Sequence, residues 1–164
     1  MNIWFKLQVN TNKNGLYAVC YQMLKNSLEA EEVVQDSFIK MWQAKENGKK
    51  QSKAWLYQVA KNQCLDLLRR RQHEMKYQQH NKMNNEDVKS ACDELINNEL
   101  SDHISQAIEK LNEPYKSLIV LREISQLSYQ QLADVLDLNV QQIKVYLHRA
   151  RNTLKQSLID LQSG

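Results

Sequence analysis

The chain has 164 residues, 42 % of them hydrophobic, which is enough to bury one ordinary core or two small ones. With only 3 Gly and 1 Pro it lacks the tight turns that a β-sandwich or barrel needs, so long helices with short polar connections are expected. The net charge of +3 is unevenly spread: residues 1–71 carry 12 Lys/Arg against 6 Asp/Glu, residues 72–110 carry 4 against 8, and residues 111–164 carry 6 against 5. A basic lobe of this kind suits a polyanionic partner, although solvated Lys-rich helix faces would give the same count.

Three cysteines, Cys20, Cys64 and Cys92, form no CxxC pair, and an odd number fits a reducing compartment with Cys20 and Cys64 as small core residues. The first residues, Met1 to Lys6, contain no long apolar run of the signal-peptide type. No stretch approaches the ~18 consecutive apolar residues of a membrane span. A cytoplasmic location without membrane insertion is expected.

In chain order, Leu16, Val19, Cys20, Met23 and Leu24 form one apolar stripe and predict a helix over 16–24. A second helix is expected from Ser27 as N-cap, with Glu29, Glu31 and Glu32 near its positive end. Its stripe is Ala30, Val34, Phe38 and Met41, with Val33 and Trp42 at the margins. Residues 43–53 read as a polar loop. A third helix is expected over 52–71, burying Leu56, Val59, Ala60 and Leu67 and ending in the cations Arg69, Arg70 and Arg71. Residues 72–98 are rich in Gln, Asn and acids and read as an exposed, flexible linker.

A second helical unit follows over 99–164. Leu100, Ile104, Ala107, Ile108 and Leu111 keep helical spacing, and Pro114 opens a further helix burying Leu118, Ile119 and Leu121. Two capping boxes then stand 11 residues apart, Ser128 with Gln131 and Asn139 with Gln142. Leu132, Val135 and Leu136 face the core from the first short helix; Ile143, Leu147, Ala150 and Leu154 do so from the second. Ala133 permits close approach, and Asp137 tolerates the left-handed backbone of the turn. This is a helix-turn-helix pattern.

The second helix leaves Gln141, Gln142, Lys144, Val145, Tyr146, His148, Arg149 and Arg151 off its apolar stripe. Residues 139–156 hold four Lys/Arg and no acid. Glutamine reads adenine edges, and Lys or Arg meets phosphate or guanine, so the face suits a major groove. A helical hairpin with a basic solvent face is the plainer alternative.

Three ordered blocks resemble the extracytoplasmic-function (ECF) sigma factors, the small two-domain bacterial sigma factors. Residues 127–133 with Ile143, Lys144 and 147–151 resemble their region four. Residues 30–38 resemble their polymerase-binding helix in region two, and Trp55, Leu56, Ala60, Asn62, Asp66 and Arg69 to Arg71 resemble the helix after it. The resemblance implies an all-α fold of two small helical domains joined by a polar flexible linker. Region two would occupy 1–71, the linker 72–98, and region four, with its helix-turn-helix, 99–164.

It further implies that Glu32, Gln35 and Asp36 dock on the coiled coil of the largest polymerase subunit, with further contact to the polymerase flap. The acids there would also serve the helix dipole. Lys53, Tyr57, Lys61 and Asn62, with the loop at 43–53, would melt and hold the minus-ten element. Gln141, Gln142, Lys144, Val145, His148, Arg149 and Arg151 would read the minus-thirty-five element. The implied partners are core RNA polymerase, promoter DNA and an anti-sigma factor. Two positions depart from the family: Asp137 stands where Gly is frequent, and Tyr146 where Arg is frequent. The acidic linker, with Glu86, Asp87, Asp93 and Glu94, would pass near the RNA exit path.

Three other classes remain. A LuxR-like regulator shares the helix-turn-helix but would show no polymerase affinity. A degenerate sigma would only sequester a partner. An enzyme is disfavoured, because His73, His80, His103 and His148 are scattered and no HExxH, GxSxG or phosphate loop occurs. A zinc site from Cys92 and the linker histidines is the weaker reading; no catalytic residue, metal, cofactor or small-molecule substrate is expected.

Overall fold

The computed structural model describes residues 2–78 and 99–163; of the expected linker 72–98, residues 72–78 belong to a helix, and 79–98, with His80, Cys92, Glu86, Asp87, Asp93 and Glu94, lie outside the described residues. Every regular element among the described residues is helical. The first three helices are α1 (Ile3–Leu24), α2 (Ser27–Glu46) and α3 (Lys53–Gln78). The second unit holds α4 (Glu99–Glu109), α5 (Tyr115–Ile119), a π-helical stretch (Val120–Ile124), α6 (Tyr129–Leu136) and α7 (Val140–Ser163).

α1 begins thirteen residues earlier than its apolar stripe suggests. Asn2 caps it, its side chain accepting from the Trp4 amide at 2.8 Å. Asn12 is buried within it and bonds back to the Gln8 carbonyl at 3.0 Å, so a polar residue sits on the inner face without losing its partners. Lys25, at φ 53°, closes the helix in the left-handed region and reverses the chain.

α2 is capped by Asn26, not by Ser27: the Asn26 side chain accepts from the Glu29 amide at 3.0 Å. Its buried face holds Ala30, Val33, Ser37, Phe38 and Met41. Val33 therefore takes the core position expected of Val34. The Ser37 hydroxyl is harmless there because it donates to the Val33 carbonyl at 2.7 Å. The loop to α3 is only 47–52, shorter than the expected 43–53 because α2 continues to Glu46.

Ser52 caps α3 through the Trp55 amide at 3.1 Å. α3 runs to Gln78, so the three arginines are interior rather than terminal. Arg71 serves a different helix end: it donates to the Leu24 carbonyl at 2.7 Å, at the negative end of α1, and pairs with Glu29. Arg71 thereby ties α3 to the α1–α2 corner. Leu16, Leu24, Met41 and Leu56 fill the centre, each contributing about 1.5–3 kcal/mol by burial.

In the second unit both capping boxes form. Ser128 and Gln131 exchange bonds at 3.1 and 2.9 Å, and Asn139 and Gln142 at 2.8 and 3.0 Å. Asp137 holds the turn at φ 56°. Ala133 is 4 % exposed, and Leu132, Val135, Ile143, Leu147 and Ala150 are buried around it. The two units share one continuous apolar cluster, with α3 packed on α6 and α1 on the π-helical stretch.

Candidate nucleic-acid interface

The capped α6 and the Asp137 turn fix the angle at which α7 leaves the domain. α7 buries Ile143, Leu147 and Ala150 and turns Gln141, Gln142, Lys144, His148 and Arg149 outward, all exposed. Val145, 47 % exposed, stands between them as an apolar contact of the kind a thymine methyl takes. All seven sequence-named residues on this helix are thus exposed.

Arg151, exposed as well, is held in an ion pair. Its Nε and Nη2 both donate to Glu123 Oε1, at 3.1 and 2.8 Å, and the hydrogen bond with Glu123 raises its already high pKa. The guanidinium fastens α7 to the π-helical stretch. Tyr146 packs inward: its ring meets Tyr115 edge-on with centroids 5.7 Å apart, while the Arg149 guanidinium lies 5.9 Å from its centroid. Tyrosine at 146 supplies packing that a solvated arginine would not.

In the first unit the four residues named for the minus-ten element separate by exposure. Asn62 is open, Lys53 and Lys61 are half-buried, and Tyr57 is 2 % exposed. Lys53 lies 5.9 Å from the Tyr57 ring centroid. Burial pushes the Lys61 ammonium below the ordinary lysine pKa, partly offset by Glu113, and its Nζ lies 3.5 Å from the Val135 carbonyl of α6. Burial likewise raises the Tyr57 phenol.

Glu32, Gln35 and Asp36 lie exposed along α2. Asp36 accepts from Gln63 of α3 at 2.9 Å. Beside them is a feature the sequence reading missed: an apolar groove of about 790 Å³ between α1 and α2, lined by Phe5, Val9, Val34, Phe38, Ile39 and Trp42, with Gln35 and Lys13 at its edge. Phe5 packs edge-on against Trp42 at 5.0 Å, and Lys45 covers that indole at 4.9 Å. Ile39, 53 % exposed, is the most open of its walls among the large hydrophobics. The signal for it was Phe5 and Val9 at helical spacing, four residues apart in a segment otherwise rich in Asn.

With this geometry in view, comparison with known proteins is direct. Residues 8–74 match sigma-70 region 2, and residues 101–154 match sigma-70 region 4. The chain is 30 % identical to the ECF RNA polymerase sigma factor SigW of Bacillus subtilis, covering 93 % of this chain and 88 % of that one.

The chain belongs to the ECF RNA polymerase sigma factors.

Other relatives agree. RNA polymerase sigma factor YlaC of Bacillus subtilis is 29 % identical over 87 % of this chain and 90 % of its own length. The ECF sigma-E factor of Haemophilus influenzae is 27 % identical, with coverages of 94 % and 87 %. Among solved structures, the sigma factor RpoE of Bartonella quintana, crystallised with the anti-sigma factor NepR, superposes with a TM-score of 0.72 at 25 % identity over 94 % of this chain and 96 % of that one. The sigma factor is a transcription initiation factor that works with core RNA polymerase at promoters. The region 2 match falls on α1–α3 and the region 4 match on α4–α7, and the two units are called region 2 and region 4 below.

Proposed function

We propose a division of labour within this sigma factor. Region 4 reads the minus-thirty-five element through Gln141, Gln142, Lys144, Val145, His148 and Arg149, with Arg151 bracing α7 rather than touching bases. The observation that carries this is the open face of α7, free of acids over residues 140–156, held at a fixed angle by two complete capping boxes.

Region 2 takes the polymerase coiled coil on Glu32, Gln35 and Asp36. The neighbouring groove accepts the apolar anchors of that partner, because hot spots of helix-in-groove contacts are apolar side chains ringed by polar ones. The flap contact falls to region 4. Lys53, Lys61 and Asn62 hold the melted minus-ten strand, where a lysine track meets the phosphates; Tyr57, 2 % exposed, supports that face from the core rather than stacking on a base. An anti-sigma factor restrains the protein, in keeping with its likeness to RpoE. Such a factor works beside the polymerase in the cytoplasm; no described helix is long and apolar enough to cross a membrane.

The test is transcription in vitro with core polymerase on a genomic promoter pool. Promoter-specific transcripts are expected. Arg149→Ala and Gln141→Ala should weaken promoter binding by about 1–3 kcal/mol each, and Lys61→Ala should impair strand opening while leaving duplex binding intact. Absence of specific transcripts, or a Lys61→Ala protein that opens promoters normally, contradicts the corresponding assignment.

A further inference from the structure

α7 carries two stripes of the same spacing. Ile143, Leu147 and Ala150 are buried and Leu154 is half-buried, at i, i+4, i+7 and i+11. Gln141, Val145, His148 and Asn152 repeat that spacing two residues earlier, and all four are exposed. Two residues turn an α-helix by about 200°. The second stripe therefore lies opposite the first and forms the centre line of the outer face. Lys144 and Arg149 stand on either side of it, where long cations meet the phosphates that wall a groove. Asn152 is the one member of the centre line outside the minus-thirty-five assignment.

Asn152 and His148 are bonded to one another. Asn152 Nδ2 stands 3.2 Å from His148 Nε2, one helical turn away. An amide nitrogen has only hydrogens to offer, so Asn152 donates and Nε2 accepts. A ring nitrogen that accepts holds no proton, and the proton of the neutral imidazole then sits on Nδ1. A carboxylate in the same place would set the ring the other way, but α7 holds none over residues 140–156. His148 thus offers a donor at its free nitrogen. In the major groove guanine presents two acceptors, N7 and O6, whereas the edge of cytosine presents a donor.

We propose that Asn152 is a positioning residue for base recognition: it fixes the tautomer and ring orientation of His148, so that His148 meets the groove as an Nδ1–H donor and selects guanine. This rests on the assignment of His148 to the minus-thirty-five element and deepens it. The bond between the two side chains is exposed in the free protein, where water competes for it. Docking on the duplex displaces that water, and the pair tightens as the base is read. In the opposite tautomer His148 would turn a bare nitrogen toward the guanine acceptors, lone pair against lone pair.

The tautomer is read directly by nitrogen NMR of the imidazoles in the full-length protein, at alkaline pH, with His148 assigned by the loss of its signals in His148→Ala. The wild type should show Nδ1 protonated and Nε2 bare. In Asn152→Ala the ring should return to the Nε2–H form that dominates for histidine in water. Circular dichroism verifies that both variants are folded. Base preference is read with the holoenzyme, by fluorescence anisotropy on labelled duplexes of a promoter that it transcribes, each minus-thirty-five base pair replaced in turn. His148→Ala should lose roughly tenfold in preference for guanine at one base pair. Asn152→Ala should lose most of the same preference at the same pair, and the double variant no more than His148→Ala alone.

A wild-type His148 protonated on Nε2 overturns the proposal. So does an Asn152→Ala protein that keeps the preference His148→Ala loses, or a lost preference that is for cytosine. In those cases His148 remains a reading residue and only the role of Asn152 is wrong. If His148→Ala changes the preference at no base pair, the assignment of His148 and the positioning role fall together.

Discussion

Cys20 of α1 and Cys64 of α3 are both fully buried and within hydrogen-bonding reach of one another. The hydrogen bond to Cys64, burial and the neighbouring sulfur all push the Cys20 thiol far above its ordinary range. The thiolate is the reactive species, so Cys20 is chemically quiet, while Cys64 is closed to reagents by its complete burial. Peptide mapping after iodoacetamide treatment should find Cys20 and Cys64 unmodified in the folded protein and fully alkylated in denaturant; labelling under native conditions would contradict this packing. Asp137 carries the opposite kind of constraint, on the backbone. At φ 56° it sits where short polar side chains are tolerated and β-branched ones are not. Asp137→Val should therefore cost about 1–3 kcal/mol in urea unfolding, while Asp137→Asn stays near wild type. A neutral valine variant would show that the turn relaxes without strain.

At the scale of elements, legibility in the sequence followed how local the determining physics is. α6 and α7 were readable because their ends are written in side chains three residues apart, and those capping bonds form as spaced. The start of α1 was not, since its inner face includes the polar Asn12, whose bonding to Gln8 is invisible until the helix exists. Val33 and Val34 were exchanged because a shift of one residue turns a helix face by about a quarter turn or more, and only the packing against α1 and α3 decides which is inside. The apolar groove needs two helices at once, so Phe5 and Val9 had no meaning until α2 lay beside them. That groove carries its own prediction. Ile39→Glu places a charge on an exposed wall, so the fold should survive, while polymerase affinity measured by titration should fall by about 2 kcal/mol or more. Unchanged affinity would remove the groove from the docking surface.

At the scale of the molecule, the residues that were least legible are those whose surroundings come from the other domain. Tyr57 and Lys61 read as exposed binding residues from α3 alone; α6 and the Ser125 turn change that. Because buried residues of regions 2 and 4 form one apolar cluster, the two domains are expected to unfold together. The chain provides a natural pair of probes. Its three tryptophans, Trp4, Trp42 and Trp55, all lie in region 2, so their fluorescence follows that domain alone. Far-UV circular dichroism sums the helices of both domains. In urea the two signals should share one midpoint for the wild type. Ser125→Arg should separate them, because each domain then unfolds at its own stability once the shared contact is lost. Two wild-type midpoints would mean that the contact between the domains contributes too little to couple them, and that each half stands on its own core.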